Sequence, residues 1–136
     1  DEGNPPPFTA SFSQGKGRGL FASRFIKKGE RVHDGTRSKV TFPDAMAWRR
    51  FVFSLPRKMA CDIAEWSWTQ KLSENGKLKI HVDLNISAFM NSGTENSSNV
   101  GPKTTAGVAF YAVRDVQKGE EILYNYLVYE TNWAKV

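Results

Sequence analysis

Cysteine is nearly absent from this sequence, with Cys61 standing alone. A single thiol can form neither an internal disulfide nor a thiolate cluster for zinc, which excludes disulfide-stapled scaffolds and Cys-based zinc modules and sets a reducing compartment as the expectation. Long apolar runs are missing too. The longest candidates are broken by Arg49, Arg50, Pro56 and Arg57, and none approaches the roughly 20 residues needed to cross a bilayer, so a soluble chain is expected. Asp1 to Pro7 has no Met, no basic stretch and no apolar core of a signal peptide. It is read as part of a polar, Pro-rich lead-in over residues 1–12, and the chain as an excised domain or processed product. Asn85-Ile86-Ser87 and Asn96-Ser97-Ser98 fit the glycosylation pattern, but sequons this short arise by chance and receive no role.

What is present suffices for one core, because 40% of the 136 residues are apolar. The expected organisation is that lead-in followed by a single domain over residues 13–136, ending in a short aromatic tail. Nineteen Lys and Arg against fourteen Asp and Glu give a net charge of +5. The basic residues are scattered, and the densest pairs, Lys27-Lys28 and Arg49-Arg50, sit among apolar residues, so they are read as solvated faces and direct nucleic-acid binding is not expected.

Strand patterns dominate. Val108, Phe110 and Ala112 alternate with Ala109, Tyr111 and Val113, and Leu78, Ile80, Val82 and Leu84 alternate with Lys79, His81, Asp83 and Asn85. Trp66 and Trp68 share a face ahead of Asn75-Gly76, a dipeptide that favours a type I′ turn, which predicts a hairpin from about Ile63 to Leu84. One segment has helical spacing: Trp48, Phe51, Val52 and Leu55, with Pro43 near its start and Pro56 at its end. The stretch from Phe21 to Val32 also resembles that from Tyr111 to Ile122. Ala, Arg, Lys, Gly and Glu recur at matching positions, and each copy reads as strand, Lys-Gly-Glu turn, strand. Two such strand pairs at opposite ends of one β-rich domain are expected.

Three segments carry chemically distinctive residues. Gly15-Lys16-Gly17-Arg18-Gly19 lacks both the ending of a P-loop and the spacing of a dinucleotide fingerprint, and a strand rather than a helix follows it. Its glycines suit a close ligand or a sharp turn equally. Phe89 to Asn99 is a run of small polar residues that could bond a ligand through its amides or form an ordinary surface loop. In Gly119-Glu120-Glu121-Ile122-Leu123-Tyr124-Asn125-Tyr126, tyrosines at i and i+2 of a strand share a face, where they form either a site or an aromatic core pair.

Taken in this order, Gly-x-Gly-Arg-Gly-Leu-Phe-Ala, Phe-Met-Asn and Gly-Glu-Glu-Ile-Leu-Tyr-x-Tyr resemble the SET domain family of protein lysine methyltransferases, over Gly15 to about Tyr126. The resemblance implies a mostly β (β-rich α+β) fold: a β-clip-like arrangement of small sheets with a C-terminal pseudoknot and one short inserted helix. It also implies S-adenosyl-L-methionine as methyl donor and no metal. By the same resemblance, the backbone of Lys16, Gly17 and Arg18 holds the donor's methionine part, with Asn91 beside it. Ser92 stands where the family usually has His, and His33 replaces a family Tyr near the cofactor. Tyr126 matches the catalytic Tyr, and Tyr124 the position that limits how many methyl groups are added. The Cys-rich flanks of many family members are missing, and Trp133 in the tail is the candidate lid over the cofactor.

The function so implied is methylation, mainly monomethylation, of a lysine on a histone or other basic protein. The partner is a protein or peptide presenting that lysine, with no membrane involved. The compartment is nuclear if histones are the target and otherwise cytoplasmic or organellar. The competing reading is a SET-like module that binds a protein or peptide without catalysis. Asn125 in place of the usual Asp, Ser92 in place of His, and an Asn91 loop about two residues longer than usual are departures from the family pattern.

Overall fold

The Lys-Gly-Glu repeat found in the sequence is the key to the larger sheet of this computed structural model, which describes residues 5–36, 38–73, 75–103 and 108–128. The two copies do not lie at opposite ends of a domain; they lock into one another. Ile26 and Val116 exchange backbone hydrogen bonds of 3.0 and 2.9 Å. Around that pair several contacts occur twice. Gly29 N–H donates to the Ala112 carbonyl and Gly119 N–H to the Ala22 carbonyl, while Ala112 N–H reaches Glu30 O and Ala22 N–H reaches Glu120 O. Arg24 pairs with Glu30 at 2.6 Å and Arg114 with Glu120 at 2.5 Å, and these bonds hold both carboxyls below their ordinary range. Each turn needs glycine because φ is +84° at both Gly29 and Gly119. Ile26 and Val116 are fully buried at the centre.

The chain forms two compact units, one from the residues up to Asp34 with Phe89–Lys103 and Ala109–Tyr126, the other mainly from Gly35–Ala88. In the first, β1 (Phe8–Ser13), β2 (Gly17–Ala22), β3 (Arg31–Asp34), β7 (Asn91–Ser92), β8 (Val100–Gly101), β9 (Ala109–Ala112) and β10 (Glu121–Tyr124) run in the order β1-β2-β10-β8-β9-β3, with β7 also on β10. Phe8 to Phe12, assigned above to the lead-in, form most of β1, and Phe8 is buried. The short strand β10 is held antiparallel by β2 and parallel by both β7 and β8. Leu20 and Ile122, opposite one another on β2 and β10, are fully buried.

The second unit holds β4 (Lys39–Phe42), α1 (Ala45–Phe53), α2 (Arg57–Glu65), β5 (Ser67–Lys71) and β6 (Leu78–Asp83). Helix α1 is the one expected from sequence. The Asp44 carboxylate accepts from Ala47 N–H at 2.9 Å as its N-cap, and Val52 is buried against Ile63 and Val82 with Trp48 and Leu55 around them. Helix α2 was not expected. Pro56 ends α1 and presets the start of α2, whose sequence Arg-Lys-Met-Ala-Cys-Asp-Ile-Ala-Glu buries only Ile63 and so carries little apolar periodicity. The predicted hairpin therefore begins at Ser67 rather than Ile63. Its strands pair from Ser67↔Val82 to Lys71↔Leu78, which leaves a loop of several residues instead of a two-residue turn. Gly76 has no positive φ; it is needed for space, since a Cβ there would lie 2.8 Å from Ser73 Oγ.

The central strand β6, between β4 and β5, departs from the alternation of its sequence. Ile80, His81 and Val82 are all buried, because the strand is covered on both faces. His81 is satisfied there: its Nε2–H donates to the Gln70 carbonyl at 3.1 Å and its Nδ1 accepts from Thr41 Oγ1 at 2.9 Å. Burial lowers the His81 pKa to about 4, whereas burial raises that of Asp83 to about 6.

These shifts oppose each other. Unfolded His81 takes up a proton near its ordinary value of 6.5 but the folded residue only near 4, so stability is lost as the pH falls between them. Asp83 gains its proton earlier in the folded state, so it returns stability as the pH falls below about 6. Asp83→Asn should remove that compensation. Chemical denaturation at pH 6.5 and 4.5 is expected to show the variant losing about 2 kcal/mol more than the wild type over that interval.

Candidate active site

Three sequence segments converge on β10 in the first unit. All six residues of β2 pair with β1, but only Leu20 and Phe21 pair with β10, so on that side the first half of β2 has no strand neighbour among the described residues. Gly17 and Arg18 open this stretch with Lys16 just before them, and all three are exposed. Of the two readings of the glycines, the turn accounts for Gly15 and Gly17, at φ +76° and +80°, where a Cβ would meet nothing within 4 Å. Gly19 has a different reason. A Cβ there would stand 2.5 Å from Glu121 Oε1 and 2.9 Å from Asn91 Nδ2.

Asn91 crosses to this edge from β7. Its carboxamide Nδ2 donates to the Arg18 carbonyl at 2.9 Å and to Glu121 Oε1 at 2.8 Å, while Lys16 Nζ lies 3.8 Å from the other oxygen of Glu121. Two acceptors on Nδ2 fix the amide's orientation, and Oδ1 accepts nothing from the described residues. Arg18 also lays its guanidinium over the Phe89 ring at 5.4 Å. Residues separated widely in sequence thus share one polar edge.

Beside it runs a file of rings. His33 on β3 stacks with Phe110 of β9 at 6.2 Å, Phe110 meets Tyr124 edge-on at 4.8 Å, and Tyr124 lies 6.2 Å from Tyr126. The tyrosines do not share a strand as the sequence suggested. Strand β10 ends at Tyr124, and Tyr126 opens a 3₁₀ turn over Tyr126–Val128, so the rings meet at different depths: Tyr124 is 2% exposed and Tyr126 47%. The Tyr126 hydroxyl donates to the Met90 carbonyl, next to Asn91, and Tyr126 N–H to Ser92 Oγ at 3.4 Å. Trp133 lies outside the described residues.

Sequence reasoning missed the residues that hold these groups in place. Phe110 was read only as a strand position, although it joins His33 to Tyr124. Asn99 was read as the end of a polar loop, yet it is fully buried and acts as a piece of strand for β10. Its Nδ2 donates to the Glu121 carbonyl at 2.7 Å, its Oδ1 accepts from Leu123 N–H at 2.9 Å, and its own N–H donates to Leu123 O at 3.0 Å. The available signal was an Asn at the end of a polar run just before the apolar Val100. Asn99→Ala leaves buried backbone groups of β10 unsatisfied, so it should cost roughly 2 to 4 kcal/mol in denaturant unfolding.

The SET domain sequence profile matches residues 17–127. No curated protein matches the chain's sequence. Among solved structures, Polycomb Repressive Complex 2 of Chaetomium thermophilum, in an autoinhibited conformation bound to S-adenosylmethionine, is 26% identical with a TM-score of 0.64, over 98% of this chain and 16% of that one. A humanized mutant of that complex bound to the inhibitor GSK126 is 25% identical, with a TM-score of 0.63 over 97% of this chain and 16% of that one. The present chain thus spans only about a sixth of these relatives' length. A candidate histone methyltransferase of Plasmodium falciparum, covered over 100% of its length and 97% of this chain, is 19% identical with a TM-score of 0.56, a likeness of fold alone. The profile takes in the open edge of β2, the Asn91 segment and the ring file alike, and the chain belongs to the SET domain family.

Proposed function

We propose that this chain methylates a lysine side chain of a protein, a histone or another basic protein, using S-adenosylmethionine, and that it stops mainly at the monomethyl product. The observation that carries the reading is the meeting of Arg18, Asn91 and Tyr126 around β10, with a polar edge on one side and the ring file on the other. The residues present suit the cofactor. Along Lys16 to Arg18 the backbone groups not already bonded to Ser13 and Asn91 offer donors and acceptors to its amino-acid part, and Asn91 Oδ1 is an acceptor for its ammonium. Ser92 and His33 complete the proposed cofactor set, with Trp133 as its lid. When bound, S-adenosylmethionine supplies a methyl group on a cationic sulfonium.

The remaining work falls to the protein. A lysine amine must be neutral to attack, yet its free pKa is about 10.4. A lysine seated against the rings of Phe110, Tyr124 and Tyr126 is desolvated, which disfavours the charged amine, so the proton leaves for solvent before transfer. Holding the amine and methyl in line at about 3 to 3.5 Å supplies much of the rate gain. The Tyr126 hydroxyl, anchored on the Met90 carbonyl, orients the reacting groups, and backbone carbonyls beside it polarise the methyl through weak C–H contacts.

Tyr126→Phe keeps the ring and removes the hydroxyl. It should remain folded by circular dichroism and transfer methyl at least about a hundredfold more slowly. A chain that binds cofactor and peptide without any turnover would instead be a binding module. Tyr124 governs the product, because its buried phenol can hold the amine or a water where a second methyl must fit. Mass spectrometry after long incubation should find monomethyl-lysine from the wild type and di- or trimethyl-lysine from Tyr124→Phe. Ready trimethylation by the wild type would remove Tyr124 from that role.

A further inference from the structure

We propose that Glu121 is a positioning residue: it locks the Asn91 carboxamide so that oxygen, not nitrogen, faces the ammonium of the bound cofactor. The inference rests on the cofactor reading above and adds to it the group that selects an amino-acid-bearing ligand. A carboxamide turned by half a circle looks almost the same to its surroundings in shape, but it exchanges two donors for an acceptor. Only the donor side can face the present partners. Asn91 Nδ2 stands between the Arg18 carbonyl at 2.9 Å and Glu121 Oε1 at 2.8 Å, and a flipped amide would set Oδ1 against two acceptors, one of them an anion. The bond to the carboxylate is the stronger constraint, since a charge-assisted bond is roughly twice as strong as a neutral one.

Glu121 is itself held. Its side chain is largely buried at 19% exposure, and Lys16 Nζ lies 3.8 Å from its Oε2. The pair also depends on the bare backbone of Gly19, where a Cβ would come within 2.5 Å of Glu121 Oε1 and 2.9 Å of Asn91 Nδ2. Those two atoms end side chains and give way, although a Cβ would also stand 3.0 Å from the Ser13 Cβ, so an alanine displaces the pair and presses on β1 as well. With Glu121 neutralised, the amide keeps one strong reason less to hold its orientation, and an ammonium facing Nδ2 would be repelled. A ligand without an ammonium would not register the change.

The test is calorimetric binding of S-adenosylmethionine and of 5′-methylthioadenosine, which lacks the amino-acid part, to the wild type, Glu121→Gln and Gly19→Ala. Glu121→Gln should melt close to the wild type and Gly19→Ala lower but still cooperatively. S-adenosylmethionine should bind each of them about tenfold more weakly, while 5′-methylthioadenosine keeps its affinity within about twofold. Equal losses for both ligands, or no loss for either, would overturn the positioning role and leave the cofactor reading standing. A wild type that binds neither ligand would remove the cofactor reading and this inference together. Gly19→Ala provides the same displacement by an independent route should Glu121→Gln fail to fold.

Discussion

The short strand β10 must have its backbone hydrogen-bonded along both edges, and no neighbour in sequence can supply that. β2 and then β7 satisfy one edge; β8 and the side chain of Asn99 satisfy the other. Because a buried unpaired backbone group is costly, the strand draws the N-terminal glycine-rich segment and the polar segment around Asn91 to the same place. The polar edge and the ring file are consequences of this. Asn91 reaches Arg18 only because β7 is paired to β10, and Tyr126 reaches Met90 only because the chain turns as β10 ends.

The interlocked repeat plays the matching part at the other end of these strands. Ala22 and Ala112, the last residues of β2 and β9, are each tied to the opposite Lys-Gly-Glu turn. The two guanidinium-carboxylate pairs are exposed enough to add little by themselves. Their use is geometric: each Glu also accepts from a backbone N–H of its own turn, Lys27 or Gln117, and so closes it. β2 and β9 are thereby tied at their ends to the turns that lead into β10 and β3.

How much of this could be seen in the sequence depended on whether a residue's role was local. Trp48, Val52 and Leu55 marked α1 because a helix is set by its own period, and the β5-β6 pairing followed from alternation. Helix α2 escaped because it buries little besides Ile63. His81 looked like an outward polar position and is a satisfied core residue, since alternation cannot reveal that both faces of β6 are covered. The repeat was visible as a repeat, but its mutual pairing joins residues too distant for any pattern to couple. Asn91, Tyr124 and Tyr126 were legible through the family resemblance; Asn99, Glu121 and Phe110 were not, because their importance lies in what they touch.

The account as a whole is a claim about chemistry at the end of β10, and one measurement addresses it directly. The chain would be incubated with S-adenosylmethionine labelled in its methyl group and a panel of histones and other basic proteins, and the labelled products hydrolysed to amino acids. The account predicts label in ε-N-monomethyl-lysine, absent when Tyr126→Phe replaces the wild type at equal time. Label in arginine, or none on any protein while the cofactor binds, would contradict it.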